Sequence, residues 1–412
     1  MLLLEWCVFM MKLRKNNLSR TSYFFLIVAS SFLYSCGESK SKIGFIRKID
    51  SLAIKRREAR IRKEINADLK ASQIEKIIEQ KLKEGFNGNV LIAQKDVIIY
   101  QNTFGFANFE DTLRNNAHSK FQLASLSKTF TAVAIMKLAE TGKIGLDYTV
   151  KDYFPDFPYD GITIRSLLCH RSGLPFYQYT FDQLVRQSKI YPTNQDIMKW
   201  FATAQPTPPM FNQPDHYFGY NNTNYAILAA LVEKVSNQSF DVYMRENIFK
   251  PAGMLESFIV TTKNDSINLN RTYGYQFGRR LPKDYYDDIT GDKGVYSTSG
   301  DLLNWYKALK NNTIISKESF KEMIQPRSFE FPGLRNYGYG FRLWVNNKQQ
   351  TDYVYHTGWW KGYNTIMFFD PAKDFVIIIL SNKYNRTVYN IKQLIEVMQG
   401  SGSTMEESIL DE

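Results

Sequence analysis

Apolar, strand-like runs at both ends of this 412-residue chain and a helical, turn-rich middle predict an α/β (α+β) fold. One antiparallel sheet is built from the two chain ends, flanked by helices, with a helical lobe inserted between them. Short connections between the C-terminal strands predict the antiparallel pairing. A site at the seam of sheet and lobe is the default expectation for such an architecture.

The elements follow in order. Residues 12–20 are basic and residues 23–34 are an apolar run of about 12 residues, too short to span a bilayer as a helix. Ser35-Cys36-Gly37 then supplies small residues, so residues 1–35 read as an export signal. Leu33-Tyr34-Ser35-Cys36 resembles a bacterial lipoprotein cleavage box, with Cys36 the lipidated first residue of the mature chain. Its alternative is a plain secreted protein with an unmodified Cys36. Residues 1–9, ahead of Met10-Met11, look like an upstream start. Residues 36–71 are expected to form a polar, charged spacer, helical over 46–70 with only a thin apolar stripe.

A folded domain is expected over 72–400. Ser72 opens it as a helix cap, with Glu75 at the reciprocal position and Ile74, Ile77, Ile78 and Leu82 on one face; Gly85 ends the helix. Residues 89–93 and 97–100 read as a β-hairpin. Leu126 to Thr141 is helical, and helices alternate with Pro/Gly/Asn-rich links from Ile162 to Leu309. Strands return at 340–345, 353–356, 364–369 and 375–380, and a last helix over 387–398 precedes an acidic tail, 401–412.

Charge narrows the function. The formal net charge is +11, but residues 1–36 carry +3 and residues 37–84 carry +6, leaving +2 for the rest. The folded body is therefore nearly neutral, which argues against a nucleic-acid surface; the basic leader and spacer suit anionic lipid instead. Three cysteines, at 7, 36 and 169, imply no disulfide framework. Cys169 lies in an apolar run and reads as a buried, inert thiol. His118, His170 and His216 show no ligand spacing, so neither a metal nor a cofactor is expected.

Ser125 sits where an extended segment meets a helix start, and Lys128 follows one helical turn later on the same face. A serine hydroxyl is a weak nucleophile that needs a base, and a partly desolvated lysine can be one. The Ser125 N–H at the helix start can donate to a developing oxyanion. The spacing alone is weak, because Ser39-x-x-Lys42 repeats it in the spacer. Further residues support it. Tyr220 and Asn222 lie just before an apolar helix; a phenol near two cations could ionise, and an amide could hold a substrate carbonyl. His356-Thr357-Gly358 lies at the end of an expected strand, where the next N–H, that of Trp359, could be a second oxyanion donor.

Together Ser125-x-x-Lys128, Tyr220-x-Asn222 and His356-Thr357-Gly358 resemble the motifs of the serine β-lactamase/penicillin-binding-protein superfamily, in its class C β-lactamase-like branch of DD-peptidases and esterases. Three flanking phrases resemble the family's as well: residues 162–175 around His170-Arg171-Ser172-Gly173-Leu174-Pro175, Pro251-Ala252-Gly253-Met254, and Gly294-Val295-Tyr296-Ser297-Thr298 with Asp301-Leu302. The resemblance implies a Ser125 acyl-enzyme, proton transfer by Lys128 and Tyr220, and a substrate amide placed by Asn222. His356 and Thr357 would line the pocket, and the Ser125 and Trp359 N–H groups would form the oxyanion hole.

Three departures bear on substrate. His356 replaces the lysine usual in β-lactamases, so the fixed charge that binds a β-lactam carboxylate is missing or pH-dependent. Trp359-Trp360 implies a narrowed, aromatic-lined cleft. Asn221 replaces the usual Ser or Ala, with little consequence. The leading reading is a cell-envelope serine hydrolase, lipid-anchored and facing the periplasm or exterior. It would act on a small-molecule or peptide substrate, peptidoglycan-derived or a small ester. A true β-lactamase is the alternative within the class, and a non-catalytic penicillin-binding-like lipoprotein the rival outside it.

Overall fold

A computed structural model describes residues 39–262, 271–330, 333 and 335–400, with side chains from residue 52. The export signal, Cys36 and the acidic tail lie outside the described residues. Two units are resolved, Met1–Glu64 and Ile65–Glu412. In the first, helix α1 spans Ser39–Glu64; its described side chains are almost all exposed, as a thin apolar stripe requires.

The second unit begins earlier than Ser72. Helix α2 runs Ala67–Lys83, and Ser72 lies exposed in its middle. The break falls at Asn66, which takes a left-handed backbone (φ 53°) that asparagine tolerates better than most residues. Tertiary anchoring overrides the capping preference of Ser72. Ala67 is fully buried, and Lys70 Nζ donates to Gln94 Oε1 and to the Met398 carbonyl, both at 2.8 Å.

Strands β1 (Gly88–Gln94) and β2 (Val97–Phe104) form the expected hairpin. After the lobe come β6 (Arg335–Tyr337), β7 (Arg342–Val345), β8 (Thr351–Trp360), β9 (Tyr363–Asp370) and β10 (Phe375–Ser381). Together they make one seven-stranded sheet in the order β6-β7-β8-β9-β10-β1-β2, antiparallel throughout. The two chain ends meet at β1 and β10, where Gly88 pairs with Ser381 and Gln94 with Phe375. Every residue of β1, β9 and β10 is buried, so these strands read as continuous apolar runs rather than alternating ones.

Helices cover both faces. α2 lies against β2 and against the last helix, α6 (Lys392–Gln399); α5 (Ser299–Lys310) lies on β1 and β10. In the lobe, α3 (Ser127–Glu140) packs against α4 (Asn222–Ser236). Both are apolar almost all round, as a helix buried on every side must be. The short strands β3 (Phe121–Gln122), β4 (Phe258–Ile259) and β5 (Val295–Ser297) form a second small sheet, ordered β3-β5-β4.

One expectation changes with consequence. His356-Thr357-Gly358 does not end a strand. β8 continues through Trp360, with Trp359 paired to Asn364 and Trp360 to Tyr363 across a two-residue Lys361–Gly362 turn. β7 pairs only with the Thr351–Tyr355 half of β8, so the motif half lies past the end of its neighbour.

Candidate active site

The nucleophile candidate stands on a tight backbone turn. β3 leads to Leu123; Ala124 takes a left-handed conformation (φ 49°), which costs a residue with a Cβ about 1–2 kcal/mol. A 3₁₀ turn over Ala124–Leu126 then carries Ser125 into α3. The surrounding structure holds the strain. The Leu123 N–H donates to the Val295 carbonyl at 2.8 Å. The Leu123 carbonyl accepts from Thr365 Oγ1 at 2.8 Å. Gly358 of β8 lies against that same carbonyl: a Cβ there would sit 2.0 Å from it. The glycine of the third motif is thus a packing requirement of the nucleophile turn.

Lys128 is fully buried. Its Nζ lies 3.0 Å from Ser125 Oγ and 2.8 Å from both Asn222 Oδ1 and the Asp292 carbonyl. The two carbonyl oxygens only accept. A neutral amine has two N–H bonds and one lone pair, so with both N–H bonds spent on those oxygens the lone pair faces the Ser125 hydroxyl. Burial drives the Lys128 pKa down to about 7; Asp292 opposes that and Arg342 adds to it. Of the two Ser-x-x-Lys pairs, Ser39 and Lys42 lie in α1, away from any of these partners by sequence.

Tyr220 stands beside two basic side chains as anticipated: Lys128 Nζ and Arg342 Cζ are each 5.0 Å from its ring centroid. The expected ionisation does not follow. Burial pushes the phenol up to about 12, against the smaller opposing pulls of Arg342 and Ser125. In this pocket the amine, not the phenol, is the group that loses its proton near neutrality.

For His356, of the two alternatives of a missing or a pH-dependent charge, the surroundings favour the first. It is buried, and both ring nitrogens are engaged. Nδ1 lies 2.6 Å from the Thr357 carbonyl and Nε2 lies 3.0 Å from Tyr337 Oη. The carbonyl only accepts, so Nδ1 carries the proton and Nε2 accepts from the tyrosine. Burial, with Arg342 and Lys128 nearby, holds its pKa well below the ordinary histidine value. His356 is therefore a neutral prop and not a pH-dependent cation. Thr357 is buried beside it. The aromatic pair also divides. Trp359 leaves 58% of its surface exposed, whereas Trp360 donates from Nε1 to Asp287 at 2.8 Å.

Asn221 has more consequence than expected. As the cap of α4 it accepts from the Thr223 N–H at 2.9 Å and donates to the Leu174 carbonyl. Its own N–H donates to His170 Nδ1 at 3.2 Å. His170, set aside for lack of ligand spacing, is fully buried; its ring lies 4.4 Å from that of Tyr220 and 4.9 Å from that of Tyr337. Arg342, Tyr337 and Asp292 escaped the sequence reading. For Arg342 a signal existed: a charged residue inside the apolar run Phe341–Val345 has to face something polar. Cys169 is buried and its thiol is pushed up to about 12, the inert form expected. Among the described residues, no group of three or more His, Cys, Asp or Glu gathers as a metal would require, and no helix is long and apolar enough to cross a membrane.

Residues 74–398 match the protein-family model described as Beta-lactamase. Penicillin-binding protein 4* of Bacillus subtilis (strain 168) is 35% identical over 323 residues, covering 74% of this chain and 70% of that protein. The crystal structure of a penicillin binding protein from Bacillus halodurans superposes with a TM-score of 0.66 at 26% identity, covering 76% of this chain and 95% of that one. The octameric penicillin-binding protein homologue from Pyrococcus abyssi gives the same TM-score and identity, covering 76% and 73%.

Proposed function

The chain belongs to the beta-lactamase family, and from that premise we propose that it is a serine hydrolase acting through a Ser125 acyl-enzyme on a carboxylate-bearing amide of the D-amino-acid peptide type. The observation that carries the proposal is Lys128 Nζ, buried and 3.0 Å from Ser125 Oγ, with its other two partners both acceptors.

Neutral Lys128 takes the Ser125 proton as Oγ adds to the substrate carbonyl. The N–H groups of Ser125 and Trp359 receive the oxyanion. Asn222, whose Oδ1 is held by Lys128, has Nδ2 left for the substrate's amide carbonyl. On collapse, Tyr220 hands its phenolic proton to the departing amine and recovers one from the Lys128 ammonium. Water then attacks the acyl group, giving its proton to the same Tyr220–Lys128 pair; as the acyl–Oγ bond breaks, the pair returns that proton to Oγ, which restores Ser125 and neutral Lys128. Tyr220 works as a neutral relay, in keeping with its raised pKa.

The preference for a carboxylate rests on Arg342. It is the cation beside Tyr220, the residue that would protonate the leaving group, and His356 supplies no charge. The export-type leader supports an envelope location with a lipid on Cys36; Cys36→Ala should move the protein into the soluble fraction, and continued membrane partition would end that part of the proposal.

The test is active-site labelling. A fluorescent fluorophosphonate should label the wild type at Ser125 and not Ser125→Ala, while Lys128→Ala should be labelled slowly. Turnover of a D-amino-acid peptide should fall at least about 10,000-fold in Ser125→Ala. A folded wild type that takes neither the phosphonate nor a fluorescent penicillin would instead be a binding module. Rapid turnover of penicillin would make it a β-lactamase.

A further inference from the structure

Asp292 and Lys293 form a buried ion pair directly behind the catalytic lysine, and nothing in the reaction above uses their side chains. Asp292 is 1% exposed and Lys293 4%. Lys293 Nζ lies 3.3 Å from the Asp292 carboxylate and donates to Tyr177 Oη at 2.7 Å; Tyr177 in turn donates to Asp292 Oδ2 at 2.9 Å. Trp360 caps the pair, with Lys293 Nζ 5.1 Å from its ring centroid. The dipeptide is clamped between two glycines of positive φ, Gly291 (91°) and Gly294 (98°). At Gly291 a Cβ would sit 2.5 Å from the Tyr225 carbonyl on α4, so the loop is pressed onto the helix that carries Asn222. A charged pair is costly to bury and is retained where its geometry is needed.

We propose that Asp292 is a positioning residue of the reaction: its carboxylate, held by Tyr177 and Lys293, fixes the backbone carbonyl that Lys128 binds and supplies the negative charge beside that amine. This rests on the reading of Lys128 as the base. The groups facing Lys128 are few. Tyr220 and Tyr225 present ring faces at 5.0 and 5.7 Å, and Asn222 and Ser125 present neutral oxygens. His170 and His356 are held neutral by burial. Arg342 on β7 is the opposing positive charge and Asp292 the negative one, acting on Lys128 in opposite senses, and the Lys293 ammonium is paired to that carboxylate. The two charges bracket the lysine. Without Asp292 the amine would titrate at lower pH and become a weaker base, and the carbonyl that orients its lone pair would lose its anchor.

The experiment follows the titration of Lys128 directly, by NMR of protein carrying ¹³Cε-lysine, with the resonance assigned through Lys128→Arg. Asp292→Asn should lower the midpoint, by up to about one pH unit, since loss of an opposite charge that favours the ammonium lowers its pKa. Lys293→Met, which keeps the carboxylate, should not lower it. The acid limb of fluorophosphonate labelling should move down with the midpoint in Asp292→Asn. If that variant fails to fold, the midpoint is followed in Tyr177→Phe, which keeps both charges but frees the carboxylate from its hydroxyl donor, and in Lys293→Met; a midpoint unmoved in both folded variants overturns the positioning role. An unchanged midpoint in folded Asp292→Asn overturns the proposal. A midpoint that moves while the wild type takes no label supports Asp292 as the charge beside Lys128 and rejects Lys128 as a base, so the two failures are distinguishable.

Discussion

At the scale of single residues, burial decides which group does what. Lys128 and Tyr220 occupy one pocket, and the same desolvation acts on both in opposite senses: it removes charge from an ammonium and withholds it from a phenol. The proposed base must be neutral, so kcat/KM should rise about tenfold per pH unit below about 7 and level off above it, following Lys128. Tyr220, at about 12, should add no limb in the accessible range. His356 should add none between pH 5 and 8, and a carboxylate-dependent KM that varied with a histidine titration would contradict its neutral, doubly bonded state. In the proposed reaction the substrate carboxylate meets Arg342, beside Tyr220. Arg342→Gln should raise KM for a carboxylate-bearing peptide about 10- to 100-fold, the weight of one hydrogen bond to a charged group, and leave the KM of an uncharged ester nearly unaffected, both read on the alkaline plateau because Arg342 also lowers the Lys128 pKa. Equal losses on both substrates would assign Arg342 to support of Tyr220 alone.

At the scale of elements, the site is a joint between β8 and the turn before α3. Gly358 touches the Leu123 carbonyl so closely that Gly358→Ala has to push strand and turn apart. It should cost about 1–3 kcal/mol, as overpacking does, and should depress kcat more than KM, because the displaced turn carries Ser125. Ala124→Gly works in the other direction. It relieves a left-handed backbone at the expense of a more flexible unfolded chain, so stability should hold or rise by no more than about 1 kcal/mol in a denaturant titration. The extension of β8 through Trp360 was not legible in the sequence, because a glycine after polar residues reads as a strand end. What keeps the strand going is its partner β9, paired register by register to the Lys361–Gly362 turn.

At the scale of the whole molecule, the sheet is closed by residues from both ends of the chain. Lys70 and Lys81 of α2 reach carbonyls at Met398 and at Thr387 and Asn390. A chain beginning at Ile65 should keep the Tm and kcat/KM of the full protein. One beginning at Ser72 loses Ala67 and the bonds of Lys70, and should be less stable by about 2 kcal/mol, a typical weight for bonds from a charged donor. Equal Tm values for the two truncations would return the domain start to Ser72. The helical phase of Ile74 and Ile78 was visible in the sequence; the start of their helix was not, because Ser72 is a good cap that the fold does not use.

Local patterns were enough for the order of elements, the union of both chain ends in one sheet, and the family, because alternation, turn residues and motif spacing are properties of neighbouring residues. They also singled out Ser125, Lys128, Tyr220, Asn222 and His356 as candidates. The tertiary structure alone decided their surroundings: which amine burial drives toward neutrality, which histidine it holds below the ordinary value, and that Arg342 and Asp292 act on the lysine in opposite senses. Those outcomes depend on desolvation and on charges from β7 and from the loop before β5 brought to a lysine on α3 more than 150 positions away, which no local pattern connects.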